Sequence, residues 1–125
     1  MANILKLQTH KDERGKLTVI EKLLPFEIKR VYYIYETDDS TRGGHRHKKT
    51  YQAAICISGS CTISCQSAAD QGFIDFDLSS PDYLLIINPE DYHIMSGFSK
   101  NTVLLVLASE YYDPNDYINE KYGDY

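Results

Sequence analysis

Apolar and polar residues along this chain alternate mostly with a period of two. In Phe73-Ile74-Asp75-Phe76-Asp77-Leu78 the alternation is clean, as in a strand with one face in water. Runs at 4–9, 16–21, 28–35, 51–57, 61–65, 92–96 and 102–107 also read as strands, rich in β-branched and aromatic residues. Within 28–35, Tyr33 and Tyr35 share one face, and Tyr32 and Ile34 the other. Tyr83-Leu84-Leu85-Ile86-Ile87 is apolar throughout, which predicts a strand covered on both faces. The turn Asp12-Glu13-Arg14-Gly15 predicts a first hairpin, and Ser58-Gly59-Ser60 a second, joining 51–57 to 61–65.

No helical period persists over three turns before residue 110. Asp113 and Pro114 predict a single helical turn, with the aspartate as cap and the proline in first position. About nine or ten short strands, with turns every eight to twelve residues, imply an all-β sandwich or barrel. The domain is read as 1–118, with a frayed tail over 119–125.

Composition narrows the function. The 125 residues suit one domain, and a net charge of −5 disfavours nucleic acid as a partner. No apolar run approaches the roughly 18 residues of a membrane span, and the first residues lack a charged-then-apolar leader. Cys56, Cys61 and Cys65 form no C-x-x-C pair and read as small core residues in a reducing compartment. The expectation is a soluble, cytoplasmic protein with no membrane partner.

The chemistry concentrates in Arg42-Gly43-Gly44-His45-Arg46-His47-Lys48-Lys49. If this segment is extended, His45 and His47 send both imidazoles into one space. Histidine titrates near neutrality, so a pair of them beside cations suits a site that holds an anion and moves protons. Such a basic patch in an acidic protein points to one small anionic ligand.

The spacing His45-x-His47, then Gln52, then Gly59, resembles the first motif of the cupin superfamily. Gln52 stands where the metal-binding glutamate would be. Pro89-Glu90-Asp91-Tyr92-His93 resembles the second motif at a spacing one residue shorter, with Gly97 in the asparagine position. Three histidines alone can bind zinc. However, Arg42, Arg46, Lys48 and Lys49 oppose a divalent ion electrostatically, and no metal or other cofactor is assigned.

A longer string is similar to a narrower family. It comprises Val31-Tyr32-Tyr33-Ile34-Tyr35, Arg42-Gly43-Gly44-His45-x-His47-Lys48-Lys49, Gln52, Ile57-Ser58-Gly59-Ser60, Asn88-Pro89-x-x-Tyr92-His93 and Leu107-Ala108-Ser109-x-Tyr111-Tyr112. It resembles the WxcM-like/FdtA-type dTDP-sugar 3,4-ketoisomerases of the RmlC-like cupins. The resemblance implies a jelly roll that converts dTDP-4-keto-6-deoxyglucose to a 3-keto isomer, without metal. It places the reaction in the formation of 3-amino-3,6-dideoxy sugars of O-antigen or S-layer glycans, and implies a homodimer with exchanged strands.

It also implies roles. His47 is the candidate base, His45 its proton-shuttling partner, and Tyr33 the group that holds or protonates a sugar oxygen. Arg14, Arg42, Arg46 and Lys48 are candidates for the substrate's pyrophosphate, which suits forked guanidinium donors, with Arg14 and Arg42 ranked first. Tyr35, Tyr92 and His93 are candidate substrate contacts, the tyrosines against the cavity or the thymine. His10 reads as surface.

Three other readings compete. A nucleotide-sugar 3,5-epimerase shares fold and substrate, but the chain is short for it and no His–Asp pair is visible in sequence. A metal-dependent cupin dioxygenase would carry stoichiometric iron. A sugar-binding cupin would use the same histidines without turnover.

Overall fold

Period-two alternation turns one face of each strand inward, and two such faces meet here across a common core. The computed structural model describes residues 1–123. Its strands are β1 (Asn3–Lys6), β2 (Gln8–Asp12), β3 (Gly15–Val19), β4 (Arg30–Ile34), β5 (Arg42–His47), β6 (Gln52–Ser58), β7 (Cys61–Gln66), β8 (Ile74–Leu78), β9 (Tyr83–Ile87), β10 (Tyr92–Ser96), β11 (Val103–Ala108) and β12 (Tyr117–Ile118). One sheet runs β1-β9-β6-β11-β4, the other β12-β5-β10-β7-β8, and β2 pairs with β3 in a separate ribbon. The pairings are antiparallel. The result is the cupin-type jelly roll.

Between the sheets lie Ala54, Cys56, Ile63, Leu85, Ile87, Leu104 and Val106, with Tyr32 and Ile34 packed against them. A second cluster covers the outer face of the first sheet. There Ala53, Ile55, Leu84 and Ile86 pack under Ile20, Leu23, Leu24 and Phe26. β9 therefore contributes to both clusters, as its unbroken apolar run predicts. Full burial of each large aliphatic side chain contributes about 1.5–3 kcal/mol.

Two local expectations are corrected. The run 4–9 divides at Leu7, which is buried and donates its N–H to Asp82 O at 2.7 Å. β1 stays on the sheet while β2 leaves it to pair with β3. The second expected hairpin does not form. β6 pairs with β9 and β11, and β7 with β8 and β10. The turn at 58–60 instead carries the chain from one sheet to the other, so Cys56 and Cys61 both enter the core. Turn chemistry fixes a reversal but not whether the chain stays in its sheet. Gly59, at φ +73°, is required at that crossing, because a Cβ there would lie 2.6 Å from Ser99 Oγ and Thr102 Oγ1.

The expected helical turn is a 3₁₀ turn, Pro114–Asp116, and Asp113 accepts from Asn115 N at 3.0 Å. β12 follows it and pairs with β5, an element the sequence did not reveal. Beyond it, where fraying was expected, Arg46 Nε donates to Glu120 O at 3.2 Å and Tyr122 Oη to Glu90 O at 2.7 Å. Residues 124 and 125 of that segment lie outside the described residues. All three cysteines are buried and free.

Candidate active site

Strand register assembles the site. His45 stands opposite His93 across β5 and β10, and His47 opposite Tyr117 across β5 and β12. The β5–β10 register shifts between His93 and Ile94, a bulge of the kind that re-aims side chains beside active sites. Gly43 permits the close approach. It sits at φ +83°, and a Cβ there would lie 2.9 Å from His93 O.

The rings of His45 and His47 are 5.2 Å apart, and those of His45 and His93 5.0 Å. Tyr117 packs 4.7 Å from His45 and 4.6 Å from His47. The expectation that an extended segment brings His45 and His47 together is met, and His93 joins them.

Hydrogen bonds fix two of the imidazoles. His47 Nδ1 lies 2.9 Å from Asp116 Oδ2. Asp116 Oδ1 accepts from Lys49 N at 2.8 Å, and its other oxygen also accepts a short bond from the Thr50 hydroxyl. A carboxylate acceptor makes Nδ1 the protonated nitrogen, so His47 Nε2 carries the free lone pair. His93 Nδ1 lies 3.1 Å from Asp91 O, a carbonyl that can only accept, and the same logic applies. The Nε2 atoms of both rings are buried without a hydrogen-bond partner. A His–Asp pair, invisible in the sequence, is therefore present, so its apparent lack does not separate this site from that of a 3,5-epimerase.

Burial dominates the titration. It pushes His45 down to about 4, helped by the neighbouring His47, and His93 down to about 3. Burial also lowers His47, though Asp116 opposes the shift. Asp116 itself is disfavoured as an anion by burial, yet Thr50, the Lys49 amide and His47 together hold it below the usual carboxylate range. At neutral pH the three imidazoles are uncharged and able to accept a proton.

The opposite sheet completes the site. Tyr32 on β4 accepts from Gln52 Nε2 at 2.9 Å, and burial raises its hydroxyl to about 12. It remains a protonated donor. Arg30, at the start of β4, is close enough to depress both His47 and Tyr32, and Arg42 also acts on Tyr32.

Several expected residues lie elsewhere within the chain. Tyr33, expected to hold or protonate a sugar oxygen, faces outward within this chain, 62% exposed, against Tyr35 at 5.7 Å. Ile34 packs into the core, which sets the strand's phase and turns Tyr32 inward instead. Tyr92 alternates with His93, so its ring faces away and packs 6.2 Å from Phe73. Arg14 stands at the tip of the β2–β3 ribbon and pairs with Asp12 at 2.6 Å. Arg46 lies over the Tyr122 ring at 4.2 Å. Lys48 is exposed beyond the end of β5, and His10 is exposed on β2.

The ligating atoms of His45, His47 and His93 lie within 4.8 Å of one another and could hold a divalent ion. The position that would add a carboxylate is Gln52, whose amide nitrogen is spent on Tyr32. The protein groups present are thus a carboxylate-fixed imidazole, two further neutral imidazoles and a protonated phenol.

Asp116, Tyr117, Tyr32 and Arg30 were not singled out from sequence. Asp116 is 69 residues from His47, and only the cap at Asp113 marked its turn. For Tyr32 the signal was present, since it shares a face with Ile34.

A jelly roll with histidines from two neighbouring strands inside it defines a cupin of the RmlC-like type. The chain belongs to the family described as WxcM-like, C-terminal (FdtA), whose model matches residues 1–125. It is 45% identical over 114 residues to the TDP-4-oxo-6-deoxy-α-D-glucose-3,4-oxoisomerase of Aneurinibacillus thermoaerophilus, covering 87% of this chain and 79% of that one. The QdtA 3,4-ketoisomerase of Thermoanaerobacterium thermosaccharolyticum, a double mutant solved with TDP, superposes with a TM-score of 0.89 at 45% identity, over 95% of this chain and 87% of that one. The dTDP-6-deoxy-D-glucose-3,5-epimerase RmlC of Legionella pneumophila shares the fold alone, at 13% identity and a TM-score of 0.79 over 93% of this chain and 70% of that one.

Proposed function

We propose that this protein is a dTDP-sugar 3,4-ketoisomerase acting on dTDP-4-keto-6-deoxyglucose. The observation that carries the reading is His47: its Nδ1 is tied to Asp116, its Nε2 is buried without a hydrogen-bond partner, and the rings of His45 and His93 stand 5.2 and 6.1 Å from its own. Family membership and the 45% identity to a named 3,4-oxoisomerase support the same substrate class. A QdtA variant solved with TDP-4-keto-6-deoxyglucose, 43% identical to this chain, adds to that support.

The reaction needs no external oxidant. His47 Nε2 takes the proton from C3, beside the C4 carbonyl, and the electron pair forms a C3–C4 enediolate. Tyr32 donates a hydrogen bond to the oxygen that gains charge. The O3 proton passes to O4, directly or through Tyr32 or His45, which leaves an enolate oxygen on C3 that becomes the ketone as C4 is protonated. C4 then takes a proton from an imidazolium of the cluster. Neutral imidazoles and a protonated phenol are the states this sequence requires. His93 lines the same space.

We also read the protein as a cytoplasmic homodimer with exchanged strands, serving 3-amino-3,6-dideoxy sugars of surface glycans. The β2–β3 ribbon supports the exchange: it pairs only with itself among the described residues, and its Leu17 is 61% exposed. Isolated two-stranded ribbons are marginal in water. Val31, Tyr33, Tyr35 and Ile57 add an exposed apolar face. A partner's site would then be the place where Arg14 meets substrate. No helix among the described residues is long and apolar enough to cross a membrane.

Proton NMR of the purified protein with the 4-keto substrate in D₂O, with and without EDTA, tests the activity. Migration of the ketone to C3, indifferent to EDTA, is the expected result. Deuterium at C3 and C5 without migration would establish an epimerase instead.

A further inference from the structure

Two of the three imidazoles in the site are fixed by hydrogen bonds: His47 by the Asp116 carboxylate and His93 by the Asp91 carbonyl. His45 is held differently. It leans on the backbone of Gly43 and is otherwise packed by rings, with Tyr117 at 4.7 Å, His93 at 5.0 Å and His47 at 5.2 Å. Tyr117 is the nearest of the three. The χ2 of a histidine is a broad torsion, so an imidazole without a strong hydrogen bond keeps its direction only if packing fixes it.

Strand order explains how one tyrosine reaches both residues of the pair. β5 has β10 on one side and β12 on the other. Tyr117 on β12 stands directly opposite His47, so His45 is its diagonal neighbour, within reach of an aromatic side chain. Its ring is 4.6 Å from that of His47, inclined at 60° to it and at 71° to His45. The pair is thus closed by His93 from β10 and by Tyr117 from β12. Tyr117 is itself clamped. Its N–H donates to Pro114 O, the preceding carbonyl of Asp116 accepts from Lys48 N at 2.9 Å, and the Tyr112 ring backs it at 5.8 Å.

We infer that Tyr117 is a positioning residue whose ring sets the direction in which His45 presents its nitrogens to His47 and to the reacting oxygens. The inference rests on the isomerase reading for the proton step that His45 serves, but the ring geometry can be tested without turnover. Tyr117 also lies close enough to Tyr32 to help raise the pKa of its hydroxyl, so the test must separate the ring of Tyr117 from its own hydroxyl.

Tyr117→Phe keeps the ring, and Tyr117→Met fills the space with a flexible chain that has no planar face. Circular dichroism and melting curves confirm folding, and Tyr117→Leu takes the place of the methionine variant if that one does not fold. Long-range proton–nitrogen spectra of the histidine side chains, at neutral pH and without substrate, read the His45 ring. Wild type and Tyr117→Phe should each show one sharp His45 tautomer. Tyr117→Met should broaden or mix the His45 signals and leave those of His47 and His93 in place. On the keto sugar, Tyr117→Met should lower kcat about 10- to 100-fold with KM within a few-fold, and Tyr117→Phe should recover most of that rate. Undisturbed His45 signals in Tyr117→Met would overturn the inference, whatever the rate. A Tyr117→Phe rate as low as that of Tyr117→Met, with His45 undisturbed, would make the hydroxyl the working group and overturn it as well. A His45 ring that responds to Tyr117→Met in a protein that moves no ketone would sustain the positioning and reject the isomerase.

Discussion

The Asp116 carboxylate meets His47 Nδ1 at 2.9 Å across 69 residues of sequence, and it fixes which nitrogen of the ring is free. Removing the ring should therefore remove the base. His47→Asn is expected to lower kcat about 10²–10⁴-fold, equivalent to about 3–5 kcal/mol of barrier, without unfolding the protein. Turnover by NMR, with a melting curve on the same sample, decides it. Near-normal turnover would take the base away from His47.

Asp116→Asn separates positioning from packing. Asp116 raises the His47 pKa against the lowering effect of burial. Loss of the charge should move the acidic limb of kcat/KM to lower pH, because His47 then protonates less readily. The maximal rate should fall by at least tenfold as tautomer control weakens. A pH–rate profile reads both effects, and a merely structural role would lower the rate without moving the limb.

The two adjacent tyrosines give a paired test. Tyr32→Phe removes the phenol that Gln52 orients and should lower kcat about 10–100-fold with the fold retained. Tyr33→Phe should leave kcat unchanged, since that ring is on the outer face. The reverse order of effects would restore Tyr33 to the site.

Acid should destabilise this protein through the buried histidines. Their folded pKa values, about 4 for His45 and about 3 for His93, lie below the value of 6.5 for an unperturbed ring. Below pH 6.5 the unfolded chain takes up protons that the folded chain refuses, so stability falls with pH until the folded values are reached. The slope approaches about 1.4 kcal/mol per pH unit for each such proton. Urea melts between pH 7 and 4.5 measure it, and His93→Gln should flatten the curve.

Gly43→Ala should destabilise by about 1–3 kcal/mol, because it adds a positive-φ penalty to a Cβ placed 2.9 Å from His93 O. Chemical denaturation measures the loss. A neutral result would mean that β5 and β10 can separate at no cost there.

Much of the architecture was readable in the sequence because strand period and burial are local signals. The fully apolar 83–87 run announced a doubly covered strand, and His45-x-His47 announced a shared face. What was lost depended on long-range pairing. The turn at 58–60 could not say that it changes sheets, and a two-residue strand such as β12 leaves no periodic trace. The choice of Tyr33 over Tyr32 followed the motif rather than the phase set by Ile34. Asp116 was hidden because an aspartate in a polar turn has the ordinary look of a solvated one.

The groups of the candidate site sit on two sheets: the imidazoles on β5 and β10, and the phenol and amide on β4 and β6. Nothing covalent and local sets the gap between them. The packed layer of Met95, Leu104 and Val106 does, acting as a spacer gauge. Close-packed interiors transmit small changes in volume, so a methylene removed from that layer alters the reach between proton acceptor and proton donor. Tolerance for drift in the apolar interior of this enzyme is therefore set by its chemistry at a tighter limit than its melting temperature would impose.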